Sequence, residues 1–157
     1  MPVVPTMIAT ISTDLDTTAE RTWALVQRSA TFLHVTRGIL GLKDAERLPA
    51  QWQPGSVVRS RLLLFNIVPA WVHELRVVRV DDHARELYTN EHGGPLSKWN
   101  HRITVEPLSV SCCRYTDAVE IGAGLFTPLV WLNAHLFFRY RQHRLRQLVR
   151  TMGTPGG

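Results

Sequence analysis

The stretch from Leu125 to Thr151 reads as one uninterrupted helix, and it constrains the rest of the chain more than any other feature. Pro128 falls in its first turn, where a missing N–H costs little. Leu129, Leu132, Leu136, Phe137, Tyr140 and Leu148 recur mostly at three- and four-residue steps, which predicts a single apolar stripe. At 1.5 Å per residue such a helix is about 40 Å long, whereas a ten-residue strand spans about 33 Å. A helix of that length needs a broad apolar surface to lie on, and a sheet crossed along its diagonal supplies one.

The segment before the helix supplies the strands. Val57 to Phe65, Trp71 to Asp81, Glu86 to Glu91, Trp99 to Glu106 and Ser111 to Ile121 are strand-like, with turns expected near Pro69, at Asp81-Asp82-His83, at His92-Gly93-Gly94-Pro95 and over Leu108 to Val110. Consecutive strands joined by short turns make an antiparallel meander. Upstream, Met7 to Asp14 reads as a first strand, and Asp16 or Thr17 as the cap of a helix, with Glu20 placed to complete a capping box with Thr17. A second short helix over Ala30 to Val35 and a brief strand over Ile39 to Leu42 follow, and Pro49, Pro54 and Gly55 mark a loop. The expectation is one domain over residues 7–152, flanked by an N-terminal tail (1–6) and a disordered tail (153–157).

With 157 residues, 45% of them hydrophobic and 20% charged, the chain suits one globular domain. Its two cysteines, Cys112 and Cys113, are neighbours that point to opposite faces of a strand, so neither a disulfide framework nor a zinc site is expected. The N-terminus has no basic segment followed by an apolar run, and a cytoplasmic protein is expected. Gly122 to Phe138 is the most apolar stretch, but it contains Pro128, Asn133 and His135 and is short for a bilayer, which predicts a buried helix instead.

The net charge of +5 arises in the last helix, where Arg139, Arg141, Arg144, Arg146 and Arg150 occur without acids. A solvated helix face accounts for this strip. An anionic membrane surface is the alternative partner, and nucleic acid is not expected. Either a monomer or a homodimer is compatible with the sequence. The seven histidines lack metal-ligand spacing, and there is no nucleophile elbow or phosphate-binding loop, so no metal and no cofactor are expected.

Four short patterns sit on this framework: Trp52-x-x-Gly55, Trp99-x-His101-x-Ile103, Tyr115-Thr116-Asp117 and Phe137-Phe138-Arg139-Tyr140-Arg141. With them, over about Met7 to Val149, the chain resembles the START-like superfamily of polyketide cyclases, lipid-transfer domains and birch-pollen-type allergens, and within it a bacterial branch of small stand-alone proteins. The resemblance implies an α+β helix-grip fold: a curved antiparallel sheet wrapped around a long C-terminal helix, with two short helices after the first strand. It also implies a cavity for a small hydrophobic or amphipathic ligand. Some members are enzymes, so a cyclase- or dehydratase-like activity is the alternative.

Strand alternation nominates the cavity wall. Trp99, His101, Ile103 and Val105 share one face, as do Cys113, Tyr115, Asp117, Val119 and Ile121. A three-residue loop would pair Pro107 with Ser111 and set His101 opposite Asp117, close enough for a direct contact. Such a pair can act as a general base or orient a ligand, or it can be a satisfied polar anchor. His73 follows Trp71 on another inward face, with Arg79 toward its end. Arg59 and Arg61 are expected on the solvent side, and Cys113 as a small apolar wall residue. The expected ligand-binding residues are therefore His73, Trp99, His101, Ile103, Tyr115 and Asp117 from the sheet and Phe137 and Tyr140 from the helix, with His101 and Asp117 as catalytic candidates.

Overall fold

The computed structural model describes residues 5–153. The remaining residues of the two expected tails, 1–4 and 154–157, lie outside them. The chain runs β1 (Met7–Leu15), α1 (Ala19–Val26), α2 (Ser29–Thr36), β2 (Leu40–Leu42), β3 (Val57–Leu64), β4 (Val68–Asp81), β5 (Glu86–Gly93), β6 (Leu96–Ser109), β7 (Cys112–Gly122) and α3 (Thr127–Met152), with short 3₁₀ turns at Ala45–Arg47 and Gly124–Phe126. The seven strands form one antiparallel sheet in the order β1-β7-β6-β5-β4-β3-β2. The first and last strands are thus neighbours, and α1 and α2 bridge β1 to the far edge. Register shifts in β3, β4, β5 and β6 add local twist and bend, which curl the sheet around α3.

Local chemistry explains several boundaries. Thr18, not Asp16 or Thr17, caps α1, and its hydroxyl accepts from the backbone N–H of Arg21, so the expected capping box with Glu20 does not form. The turn between β3 and β4 lies at Phe65 and Asn66, both with positive φ, and Pro69 is inside β4 opposite Leu63. Between β5 and β6 the chain folds tightly over Trp71. Gly94 has φ +53°, and a Cβ there would lie 2.4 Å from the Trp71 ring, so only glycine fits both the conformation and the space.

The helix α3 buries a different stripe from the expected one. Ala134, Phe138, Arg141, Gln142, Leu145 and Val149 face inward, while Leu129, Leu132 and Leu136 are 58%, 56% and 65% exposed. The leucines outnumber the buried apolar residues in the first half of the helix, but their steps place them one face away from the sheet. The arginines do not form a common solvent strip either. Arg141 is buried, Arg144 donates to the carbonyl of His34 and Arg146 to the Thr13 hydroxyl, leaving Arg139 and Arg150 exposed. Among the described residues no helix is long and apolar enough to cross a membrane.

Two apolar clusters hold the layers together. One joins α1 and the C-terminal half of α3 to the sheet through Trp23, Val105, Tyr115, Leu145 and Val149. The other centres on Phe138, packed against Ala9, Ile11, Val119 and Ile121. Between them the sheet and α3 part, and the polar residues described next occupy the gap.

Candidate functional site

The hairpin of β6 and β7 carries the first polar group. Its turn is the two residues Val110 and Ser111, with a bulge at Leu108, so the register differs by two residues from the expected one. Ile103 stands opposite Asp117, and His101 opposite Val119. An even shift keeps every side chain on its face, and diagonal neighbours remain within reach of long side chains. His101 Nε2 donates to Asp117 Oδ1 at 2.7 Å. The same carboxylate accepts from the Tyr115 hydroxyl at 3.0 Å, and its other oxygen accepts from Gln142 Nε2 at 3.0 Å. Gln142 also donates to the Ile11 carbonyl at 2.8 Å, so this network ties α3 to β1, β6 and β7.

Electrostatics follow from that inventory. Burial by itself would raise the Asp117 pKa, but the hydrogen bond and charge interaction with His101, helped by Arg141 and Gln142, hold it below the usual carboxylate value. The Tyr115 phenol moves the other way, well above its ordinary range, first because it is buried and then because it faces the Asp117 charge. An ionised carboxylate only accepts, so the His101 Nε2 that faces Asp117 carries a proton.

A second polar group stands on β4 and β5. His73 Nε2 donates to Glu91 Oε2 at 2.9 Å, and the Thr89 hydroxyl donates to Glu91 Oε1 at 2.7 Å. Burial tends to raise the Glu91 pKa, and these bonds with the nearby histidines outweigh it and leave it lowered.

Both groups border one apolar cavity with two lobes. The narrower lobe, about 50 Å³, lies among Val35, Leu87, Ile103, Tyr115 and Leu145. The wider lobe, about 150 Å³, lies among Leu40, Leu62, Trp71, Leu96, Trp99 and Phe137. Phe32, Trp52, Leu75, Glu91, His101 and Arg141 line both. Trp52, of the pattern before β3, meets Phe32 edge-on with ring centres 6.1 Å apart. Trp99 stacks on Phe138 at 5.9 Å.

Of the residues nominated from sequence, His73, Trp99, His101, Ile103, Tyr115 and Phe137 line the cavity. Two do not. Asp117 has no exposure and stands behind His101 and Tyr115. Tyr140 points to α2, donating to the Arg37 carbonyl at 2.7 Å beside Gly38, and acts as a strut between the helices. Cys113 is no wall residue either: it packs beneath α1 with Sγ 3.2 Å from the Thr22 hydroxyl, and burial pushes its pKa up. Arg59 and Arg61 are exposed. A bulge after Val77 turns Arg79 outward to pair with Glu86.

Sequence reasoning missed Glu91, Thr89, Arg141 and Gln142 as site residues. Glu91 shares the inward phase of Leu87 and Thr89, which was a usable signal. Arg141 and Gln142 were masked by the leucine stripe on the adjoining face. Among the described residues no group of three or more His, Cys, Asp or Glu side chains is placed to hold a metal ion.

A family profile described as "Domain of unknown function (DUF8410)" matches residues 13–149. The chain belongs to the DUF8410 family. The match runs from Thr13, near the end of β1, to Val149 in α3 and so includes every cavity residue named above. Among curated proteins, none matches this DUF8410 chain in sequence. Solved structures show the fold. A START superfamily protein from Mycobacterium smegmatis superimposes with a TM-score of 0.70 at 14% identity, covering 92% of this chain and 98% of that one. Norcoclaurine synthase from Thalictrum flavum, in complex with dopamine and hydroxybenzaldehyde, gives 0.70 at 11% identity over 96% and 90%. Ginseng major latex-like protein 151 from Panax ginseng gives 0.65 at 12% over 90% and 96%. The DUF8410 chain therefore has the START-like helix-grip fold.

Proposed function

We propose that this protein binds a small hydrophobic or amphipathic molecule between the sheet and α3. The observation that carries this reading is the two-lobed cavity itself: its wall is chiefly apolar, yet His73, Glu91, His101 and Arg141 all reach it. Pockets for small molecules combine an apolar lining with a few fixed polar groups in this way. A core built for stability alone gains nothing from two carboxylates, two histidines and an arginine in its centre. Native mass spectrometry of gently purified protein should reveal a co-purifying small molecule, or a ligand panel should raise the melting temperature. A protein that shows no bound species and no shift with any hydrophobic or amphipathic compound does not have this function.

One observation favours a second reading, a cyclase- or dehydratase-like enzyme. The His101 imidazole borders both lobes while Asp117 holds it from behind at 2.7 Å, an arrangement suited to moving a proton at Nδ1. The fold hosts binders and enzymes alike. Turnover of a polyketide-like substrate that survives His101→Ala unchanged would remove the dyad from any mechanism.

A further inference from the structure

We infer that the ligand carries a carboxylate, and that Arg141 is the residue that receives it; this rests on the cavity-binding reading above. Arg141 is 7% exposed and projects from α3 to the junction of the two lobes. Its guanidinium carbon lies 5.7, 5.6 and 5.2 Å from the ring centres of Phe32, Phe137 and Phe138. Three aromatic faces hold the cation in place and satisfy part of its charge, but they offer its N–H groups no lone pair in the plane of the fork. Among the described residues it makes no hydrogen bond or ion pair, and Nε is buried without an acceptor.

The neighbouring carboxylates do not fill that role. Asp117 uses its oxygens on His101, Tyr115 and Gln142, and Glu91 uses its own on His73 and Thr89. A buried arginine beside two carboxylates that each bind other donors is an arrangement with one anion missing from the count of hydrogen-bonding partners. Burying a guanidinium without hydrogen-bond acceptors for its N–H groups is costly. Its planar fork is complementary to the two oxygens of a carboxylate.

The wider lobe also leaves Trp71 Nε1 and His73 Nδ1 buried without partners, so three of the four such side-chain atoms among the described residues, all but His135 Nε2, collect around this one space. Its volume of about 150 Å³ is that of an apolar cavity that accepts one benzene-sized ring. The chemistry that fits is a monocyclic or similarly compact carboxylic acid, with its ring among Leu62, Trp71 and Trp99 and its carboxylate on Arg141.

The test compares benzoate, phenylacetate and 3-phenylpropionate with their carboxamides by isothermal titration calorimetry on the whole chain. The expected result is at least one acid bound about tenfold or more tightly than its amide, the scale of one charge-assisted bidentate contact. Arg141→Met should abolish that preference, the acid losing about tenfold or more in affinity and its amide less. Thermal melting of Arg141→Met should show a single cooperative transition, so that the lost preference is read on a folded protein. If the methionine variant does not fold, Arg141→Lys carries the test: it keeps the charge, loses the fork and should lose most of the preference. Acids and amides bound equally well by the parent chain overturn the carboxylate assignment while leaving the cavity reading intact. Failure of every acid and every amide overturns the inference, and the separate native mass spectrum then decides whether the cavity reading falls with it.

Discussion

Asp117→Asn isolates the central polar network. The substitution preserves volume at a position with no exposure, so packing changes little. The amide oxygen can still accept from His101 and Tyr115. Its NH₂ group, however, meets Gln142 Nε2, which is itself a donor held by the Ile11 carbonyl. Rotating the Gln142 amide to offer oxygen would break that second bond. The variant therefore loses charge assistance on two contacts and converts a third into a donor facing a donor. With charged hydrogen bonds contributing about 1.5–3 kcal/mol and partial replacement by neutral ones, the net cost is about 2–4 kcal/mol.

The pH dependence gives this prediction a second, independent arm. The folded-state pKa of Asp117 is lowered, so the unfolded chain binds the proton more readily. Its contribution is fully present above the unfolded pKa of about 4 and is lost as pH falls through the lower folded value. As far as Asp117 itself is concerned, the stability gap between parent and Asp117→Asn should stand at its full value at pH 5. Below about pH 4 it should narrow by no more than about 1.4 kcal/mol per unit. Urea unfolding at each pH measures the gap directly, since Glu91 titrates in both proteins. A variant within about 0.5 kcal/mol of the parent at pH 7, or a gap that widens as pH falls below about 4, would refute the account of a satisfied, ionised aspartate.

Other parts of the molecule make separate predictions. Gly94→Ala places a Cβ 2.4 Å from Trp71 at a positive φ and should cost about 1–3 kcal/mol by thermal or chemical unfolding, with Trp71 fluorescence altered. Phe138→Ala removes a ring with no exposure that contacts Trp99 and His101, and a loss of about 3–5 kcal/mol is expected. Under native conditions a thiol reagent should modify Cys112 quickly and Cys113 only after unfolding, because Cys113 has no exposure and burial raises its pKa; two thiols reacting at one rate would contradict this.

The strand faces were legible because period-two alternation survives errors in register. The β6–β7 turn was misjudged, since a bulge at Leu108 and a two-residue turn produce a connection that spacing alone does not distinguish from a simple loop. The resulting shift was even, so Trp99, His101, Tyr115 and Asp117 stayed on the inner face. The helix was less forgiving. Its buried face mixes Phe138 and Leu145 with Arg141 and Gln142, whereas an exposed face carries Leu129, Leu132 and Leu136. Counting apolar residues selects the wrong face when the inward positions carry polar side chains that find their partners inside the fold. Expectation places His73 inward without its partner because Glu91, though in the inward phase of Leu87 and Thr89, is an acid at the very end of the expected strand.

That failure separates the cavity's polar groups by role. Asp117 and Gln142 have their main hydrogen-bonding valences closed within the chain, and their bonds connect α3 to three strands; they hold the wall in shape. Arg141, His73 and Trp71 each retain a buried atom without a partner, and all three line the wider lobe. A half-satisfied polar network is less stable than an apolar core of the same shape, so folding alone does not account for it. On the proposed binding reading, the satisfied set fixes where the lobe lies and the unsatisfied set faces the ligand. Replacing Gln142 should therefore loosen the helix and affect every ligand alike, whereas replacing Arg141 should leave the fold standing and change which ligands are preferred.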